Sequence, residues 1–84
     1  METKDIILQD LLLGEEAFRY QMLGRLQTDC EYYLSFRERT PNVLWAKDEK
    51  RHIKYMKALY KSFSVKPEWI TMEDIKNYEK LMVK

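Results

Sequence analysis

The stretch from Leu23 to Leu34 limits this chain more than any other. Read as a helix, it gathers Phe18, Met22, Leu23, Leu26, Cys30, Tyr33 and Leu34 into an arc of roughly 160° on a 3.6-residue wheel. A helix docked on one neighbour needs a stripe of only about 100°. The excess predicts a rod with partners on two sides, the hub of a small helical domain.

The rest of the composition agrees with that expectation. A chain of 84 residues folds as one domain and buries about 60–65% of the surface its unfolded form exposes, so the core must be small and aromatic-rich. Only two Gly and two Pro argue against a turn-rich β fold or disorder. The expected architecture over residues 1–84 is all-α, a small three- to four-helix bundle. A lone cysteine makes no internal disulfide, and neither a signal pattern nor an apolar run near the ~18 residues of a membrane span is present. The expected setting is therefore reducing and cytoplasmic, without a membrane.

Taken in order, Thr3 is placed to cap a first helix over residues 4–13, with Ile7, Leu8, Leu11 and Leu12 on its apolar side and Asp5 near the positive helix end. Gly14 offers a stop, and Glu15 and Glu16 begin the hub helix, which is expected to reach about Phe36. One long helix kinked at Gly14 is the competing arrangement. Pro41 disfavours helical geometry at Thr40, so the chain loops there. Asn42 is then expected to cap a single turn carrying Val43, Leu44, Trp45 and Ala46, with Trp45 as a lid on the core. The next helix is expected from about Asp48 to Phe63, with Ile53, Met56, Leu59, Tyr60 and Phe63 on its greasy side. Thr71 caps a last helix carrying Glu73 and Asp74 in its first turn and Ile75, Tyr78 and Met82 inward, while Trp69 pins the preceding turn against the hub.

Charge is unevenly distributed. Residues 1–36 hold three basic against seven acidic side chains, residues 37–66 nine against three, and residues 67–84 three against four. The middle third is a basic block between acidic flanks, which bears on partners and self-association rather than on fold. Within it, Lys50, Lys54, Lys57 and Lys61 recur at i, i+4, i+7 and i+11, on a stripe roughly 125° from the greasy side. Arg37, Arg39, Lys47 and Arg51 extend the block. Such a stripe is a solvated face in most helices. As a functional surface it suits an acidic protein partner or a phosphate backbone, and a pI near 7.8 is low for a dedicated nucleic-acid binder.

The residues with catalytic potential have plainer readings. Asp29 sits at the edge of the apolar arc and needs a partner, which Arg25 supplies at i, i+4, with Arg37 or a backbone N–H near Leu44 as further donors. No second carboxylate shares its face at ligand spacing. Cys30 lies on the apolar arc as a small hydrophobe, and His52, the only histidine, flanks the greasy side of its helix. A nucleophilic Cys30–His52 pair is the functional alternative to two packed side chains. One His and one Cys do not make a zinc site, and no phosphate loop or nucleophile elbow is present. The expectation is no catalytic residue, metal or cofactor, with Arg25, Asp29, Cys30, Tyr33, Trp45 and Trp69 in structural roles.

The run Leu23-x-Arg25-Leu26-x-x-Asp29-Cys30-x-Tyr32-Tyr33-Leu34, then Leu44-Trp45-Ala46, then Ile53-x-x-Met56-x-x-Leu59-Tyr60 and Pro67-x-Trp69-Ile70-Thr71-x-x-x-Ile75-x-x-Tyr78 resembles the large polyvalent-protein-associated domains. The likeness extends from about Phe18 to Met82. It implies a small helical module of phages and conjugative elements, found within long multi-domain proteins or alone. It implies no reaction, since the family is defined by its company on mobile elements. The chain departs from the pattern at Gly24, where a small hydroxyl residue is expected, and at Ser35-Phe36-Arg37, where a Gly/Asn-rich turn is expected.

Together these readings predict a non-enzymatic protein-interaction module of a phage or mobile element, concretely an inhibitor of a bacterial defence nuclease in the manner of an anti-CRISPR protein. Its docking block is Arg37, Arg39, Lys47, Lys50, Arg51, Lys54, Lys57 and Lys61. The alternative is a small nucleic-acid-binding protein using the basic helix around residues 47–61. Homo-oligomers fit either reading, because acidic and basic thirds complement one another between subunits as readily as within one.

Overall fold

A computed structural model describes residues 5–35 and 39–83. Helix α1 spans Ile6–Leu13, α2 Glu16–Ser35, α3 Glu49–Ser62 and α4 Met72–Met82, with one 3-10 turn at Pro41–Val43. The all-α bundle expected from the sequence is the observed fold.

Local chemistry sets each boundary. The cap of α1 is Asp5, whose carboxylate accepts the Leu8 N–H at 3.2 Å, while Thr3, the expected cap, lies outside the described residues. Gly14 ends α1 in an extended conformation (φ −66°, ψ 157°), so α1 and α2 are two helices rather than one kinked rod. Glycine is needed there for space, because a Cβ at this position would collide with the Phe18 ring. At the loop the cap is Thr40 rather than Asn42. The proline that follows holds Thr40 extended (φ −80°, ψ 134°), the geometry an N-cap requires, and its hydroxyl accepts the Asn42 N–H. Asp48 caps α3 by accepting the Arg51 N–H at 2.8 Å. Thr71 and Asp74 form a reciprocal capping box on α4 at 3.1 and 3.0 Å.

The core differs from the expectation in where its centre lies. Helix α2 does meet α1, α3 and α4, but its buried set is Leu23, Leu26, Asp29, Cys30 and Tyr33, an arc of only roughly 120°. Phe18 is 43% exposed, and Met22 and Leu34 are half-buried. The wider arc belongs to α3, which buries His52, Ile53, Tyr55, Met56 and Leu59 and packs on α1, α2 and α4. Tyr55 extends it beyond Leu59, and His52 fills it between Leu59 and Met56. Both bury their rings completely, with the Tyr55 hydroxyl donating to Asp5 at 3.0 Å and one of the two His52 ring nitrogens, Nε2, meeting the Leu26 carbonyl at 2.8 Å. Leu44, Phe63, Ile70, Ile75 and Met82 close the core from the connecting turns and α4. The body is flat, 36 × 35 × 18 Å.

Long side chains hold the junctions. Arg19, absent from any sequence expectation, donates to the Gly14 carbonyl at 3.0 Å and to the Ser62 carbonyl and hydroxyl at 3.1 and 2.8 Å, with its guanidinium over the Phe63 ring. A cation at the last turn of α3 also meets the negative helix end. Trp69 stands edge-on to Tyr20 at 5.3 Å and beside Gly24, fixing the turn before α4 against α2. Trp45 is half-buried, edge-on to Tyr55 at 6.2 Å. Tyr33 donates to Glu49 at 2.8 Å across α2 and α3, and burial together with that carboxylate pushes its phenol up to about 12.

Asp29, 9% exposed, is a tie between α2 and the loop. It accepts the Trp45 N–H at 2.9 Å and lies 3.5 Å from Arg25. Arg25 is largely exposed, so the backbone bond carries most of the stabilisation. Asp29→Ala is expected to cost about 1–3 kcal/mol in urea unfolding and Asp29→Asn, which retains an acceptor, less than about 1. Conversely, a Cβ on Gly24 would meet only Trp69, at an ordinary 3.8 Å. Gly24→Ala is therefore expected to stabilise by about 0.5–1 kcal/mol in the same measurement, through helix propensity.

Candidate interaction surface

Three of the four lysines of α3, Lys50, Lys54 and Lys61, are exposed, and Lys57 is half-buried. All four line a groove of about 430 Å³ between α1 and α4, whose other lining residues are Leu8, Ile53, Ala58 and Glu79. The greasy and cationic sides of α3 therefore meet within one concavity.

The cations are not equivalent. Lys57 pairs with Glu79 of α4 at 2.8 Å. Lys54 and Arg51 approach the Asp5 carboxylate at 3.8 and 3.4 Å. Burial alone would raise the Asp5 pKa, but the Leu8 N–H, the Tyr55 hydroxyl and Arg51 together pull it below the ordinary carboxylate range. Acidic and basic thirds of the chain thus meet within the molecule at Asp5. Lys50 and Lys61, about 16 Å apart along the helix at 1.5 Å per residue, form no ion pair among the described residues.

The remaining residues of the predicted docking block do not join the groove. Lys47 turns its ammonium onto the Asn42 carbonyl at 2.8 Å, in a left-handed conformation (φ 61°). Arg39, also left-handed (φ 48°), is exposed in the loop. Arg37 lies outside the described residues. Asp5 and Glu79, which neutralise part of the stripe, were not anticipated. The i, i+4 spacing within one helix is visible in sequence, but carboxylates arriving from α1 and α4 are not.

The groups with nucleophilic potential are spent on packing. Cys30 is fully buried with its sulfur 3.4 Å from Met56 Sδ. Burial, with Asp29 and Glu31 nearby, pushes its thiol up to about 12, so at neutral pH it holds no thiolate. His52 directs Nε2 to the Leu26 carbonyl, which only accepts, so the proton sits on Nε2. Its Nδ1 is buried without a partner. Among the described residues, no group of three His, Cys, Asp or Glu could hold a metal ion. No helix is long and apolar enough to cross a membrane.

A family model described as large polyvalent protein-associated domain 11 matches residues 16–82. The chain belongs to this family. That places it among the domains associated with the polyvalent proteins of phages and mobile elements, as the resemblance implied. No curated protein and no solved structure matches the chain. The family match takes in α2, α3 and α4, and α1 lies ahead of it.

Buried neutral His52 makes stability depend on pH. Desolvation, opposed by the Leu26 carbonyl and Asp29, holds its pKa below the ordinary value. The unfolded state therefore binds a proton that the folded state refuses. Stability is full above about pH 6.5 and falls below it by at most about 1.4 kcal/mol per pH unit. Urea midpoints are expected to decline from pH 7 toward pH 5 in the native protein. In His52→Gln, which can still donate to Leu26, that decline is expected to flatten.

Proposed function

We propose that this chain is a non-enzymatic interaction module of a phage or mobile element that docks on a protein through the groove of α3. Its concrete form is an inhibitor of a bacterial defence nuclease, whose cations compete for a surface that normally holds nucleic acid. One observation carries the reading: four lysines share a single concavity with the apolar Leu8, Ile53 and Ala58, and two of them, Lys50 and Lys61, have no ion-pair partner among the described residues. Apolar floor and charged rim together are the anatomy of a protein-binding site. The commitment of Asp29, Cys30 and His52 to the core supports a role without turnover.

Direct nucleic-acid binding is favoured only by the spacing of the lysines. The Glu79 carboxylate on the groove wall, 42% exposed at its side chain, opposes phosphate there and suits a mixed protein surface better. Two measurements separate the readings. Affinity capture from host lysate is expected to retain a protein partner with the native chain and lose it with Lys50→Glu/Lys61→Glu, a variant that breaks no internal ion pair. Retention of every captured protein by that variant would sink the proposal. Fluorescence anisotropy against duplex and single-stranded DNA is expected to show weak binding with a flat salt response. A slope of several units in log K against log salt would instead establish phosphate contact.

A further inference from the structure

Helix α1 has a second face. Leu11 is its only buried residue, yet Ile6 is 68% and Leu13 83% exposed, with Ile7 and Leu12 at 45% and 37%. Ile6 and Leu13 are seven residues apart, two turns along one side, and face away from Leu11. Ile7 and Leu12 stand on opposite flanks of that side. Four large apolar side chains open on an eight-residue helix exceed the scattered exposure normal for a surface, and Ile6 with Leu13 forms the ridge.

The surroundings of that ridge say what covers it. Asp10 on α1 and Glu15 and Glu16 at its junction with α2 are exposed, and like Lys50 and Lys61 they form no ion pair among the described residues. The chain therefore carries an apolar ridge flanked by unpaired acids, beside an apolar groove rimmed by unpaired cations. Leu8 of α1 lines the groove, and the exposed Leu12, one turn further on, carries apolar surface from it toward Leu13.

We propose that a second copy of this chain occupies the groove, in a two-fold dimer where the α1 ridge of each protomer seats on the lysine-rimmed groove of its partner. Two-fold symmetry uses both surfaces twice. One short helix buries too little for a stable interface, but two reciprocal contacts approach the roughly 1,200–2,000 Å² of a specific one. Asp10, Glu15 and Glu16 then answer Lys50 and Lys61 across the interface. The dimer uses the same groove as the proposed function, so an outside partner docks there by displacing the second copy. Purified protein alone tests it, and lysate capture can succeed whether or not the dimer exists.

Sedimentation velocity of the full chain at about 100 µM in about 0.05 M salt is expected to give twice the 10.3 kDa monomer mass. Raising salt to about 0.5 M is expected to weaken the dimer at least about tenfold. Leu13→Glu, at a position too exposed to matter for folding, and Lys50→Glu/Lys61→Glu are each expected to be monomeric with native circular dichroism. Mixing Lys50→Glu/Lys61→Glu with Glu15→Lys/Glu16→Lys is expected to restore a heterodimer by native mass spectrometry, since each contact regains opposite charges. A native chain that stays monomeric overturns the proposal. So does a dimer indifferent to these substitutions, and so does open-ended growth into longer oligomers.

Discussion

The bundle depends on the burial of α3 over nearly half its circumference. Because His52, Ile53, Tyr55, Met56 and Leu59 all leave water, α3 must be walled by its neighbours, and α1, α2 and α4 supply the walls. Two polar atoms in that arc decide how the walls are held. The Leu26 carbonyl receives His52 Nε2 from the α2 side, and Asp5 receives the Tyr55 hydroxyl from the α1 side. Leaving either group buried and unpaired costs on the order of 1–3 kcal/mol, a large share of the stability of a small domain.

The same constraint shapes the candidate interaction surface. With its broad apolar side turned inward, α3 has only the lysine stripe left to show. Helices α1 and α4 flank that stripe instead of leaving it on a convex face. Asp5 and Glu79 then neutralise the middle of the row, so the free charge resides at its ends. Charge placed this way complements separated acids better than a continuous polyanion.

Much of this was legible in the chain itself. Helix spans were readable from apolar spacing and from Gly14, Pro41, Asp48 and Thr71, because caps and breakers act locally. The partner needed by Asp29 followed from its place at the edge of a greasy arc, and the i, i+4 arginine is there together with the Trp45 N–H. What escaped was non-local. Asp5, Arg19 and Glu79 are ordinary surface charges by pattern, and only the packing of distant helices gives them partners. The apolar count puts the centre of the core on α2 because on α3 it takes in Tyr60 but leaves out Tyr55, at the edge of the stripe, and His52, which it treats as polar. A tyrosine or histidine whose heteroatom finds a partner buries its ring as completely as a leucine. The groove could not be read either, since its far wall is contributed by α4.

One further property resides in the Cys30–Met56 contact. The sulfur is sealed between α2 and α3, so a water-borne alkylating reagent meets it only when those two rods come apart. The rate at which the thiol is captured then counts excursions of the whole bundle into its open state, and the native sequence carries its own clock for them without an engineered label.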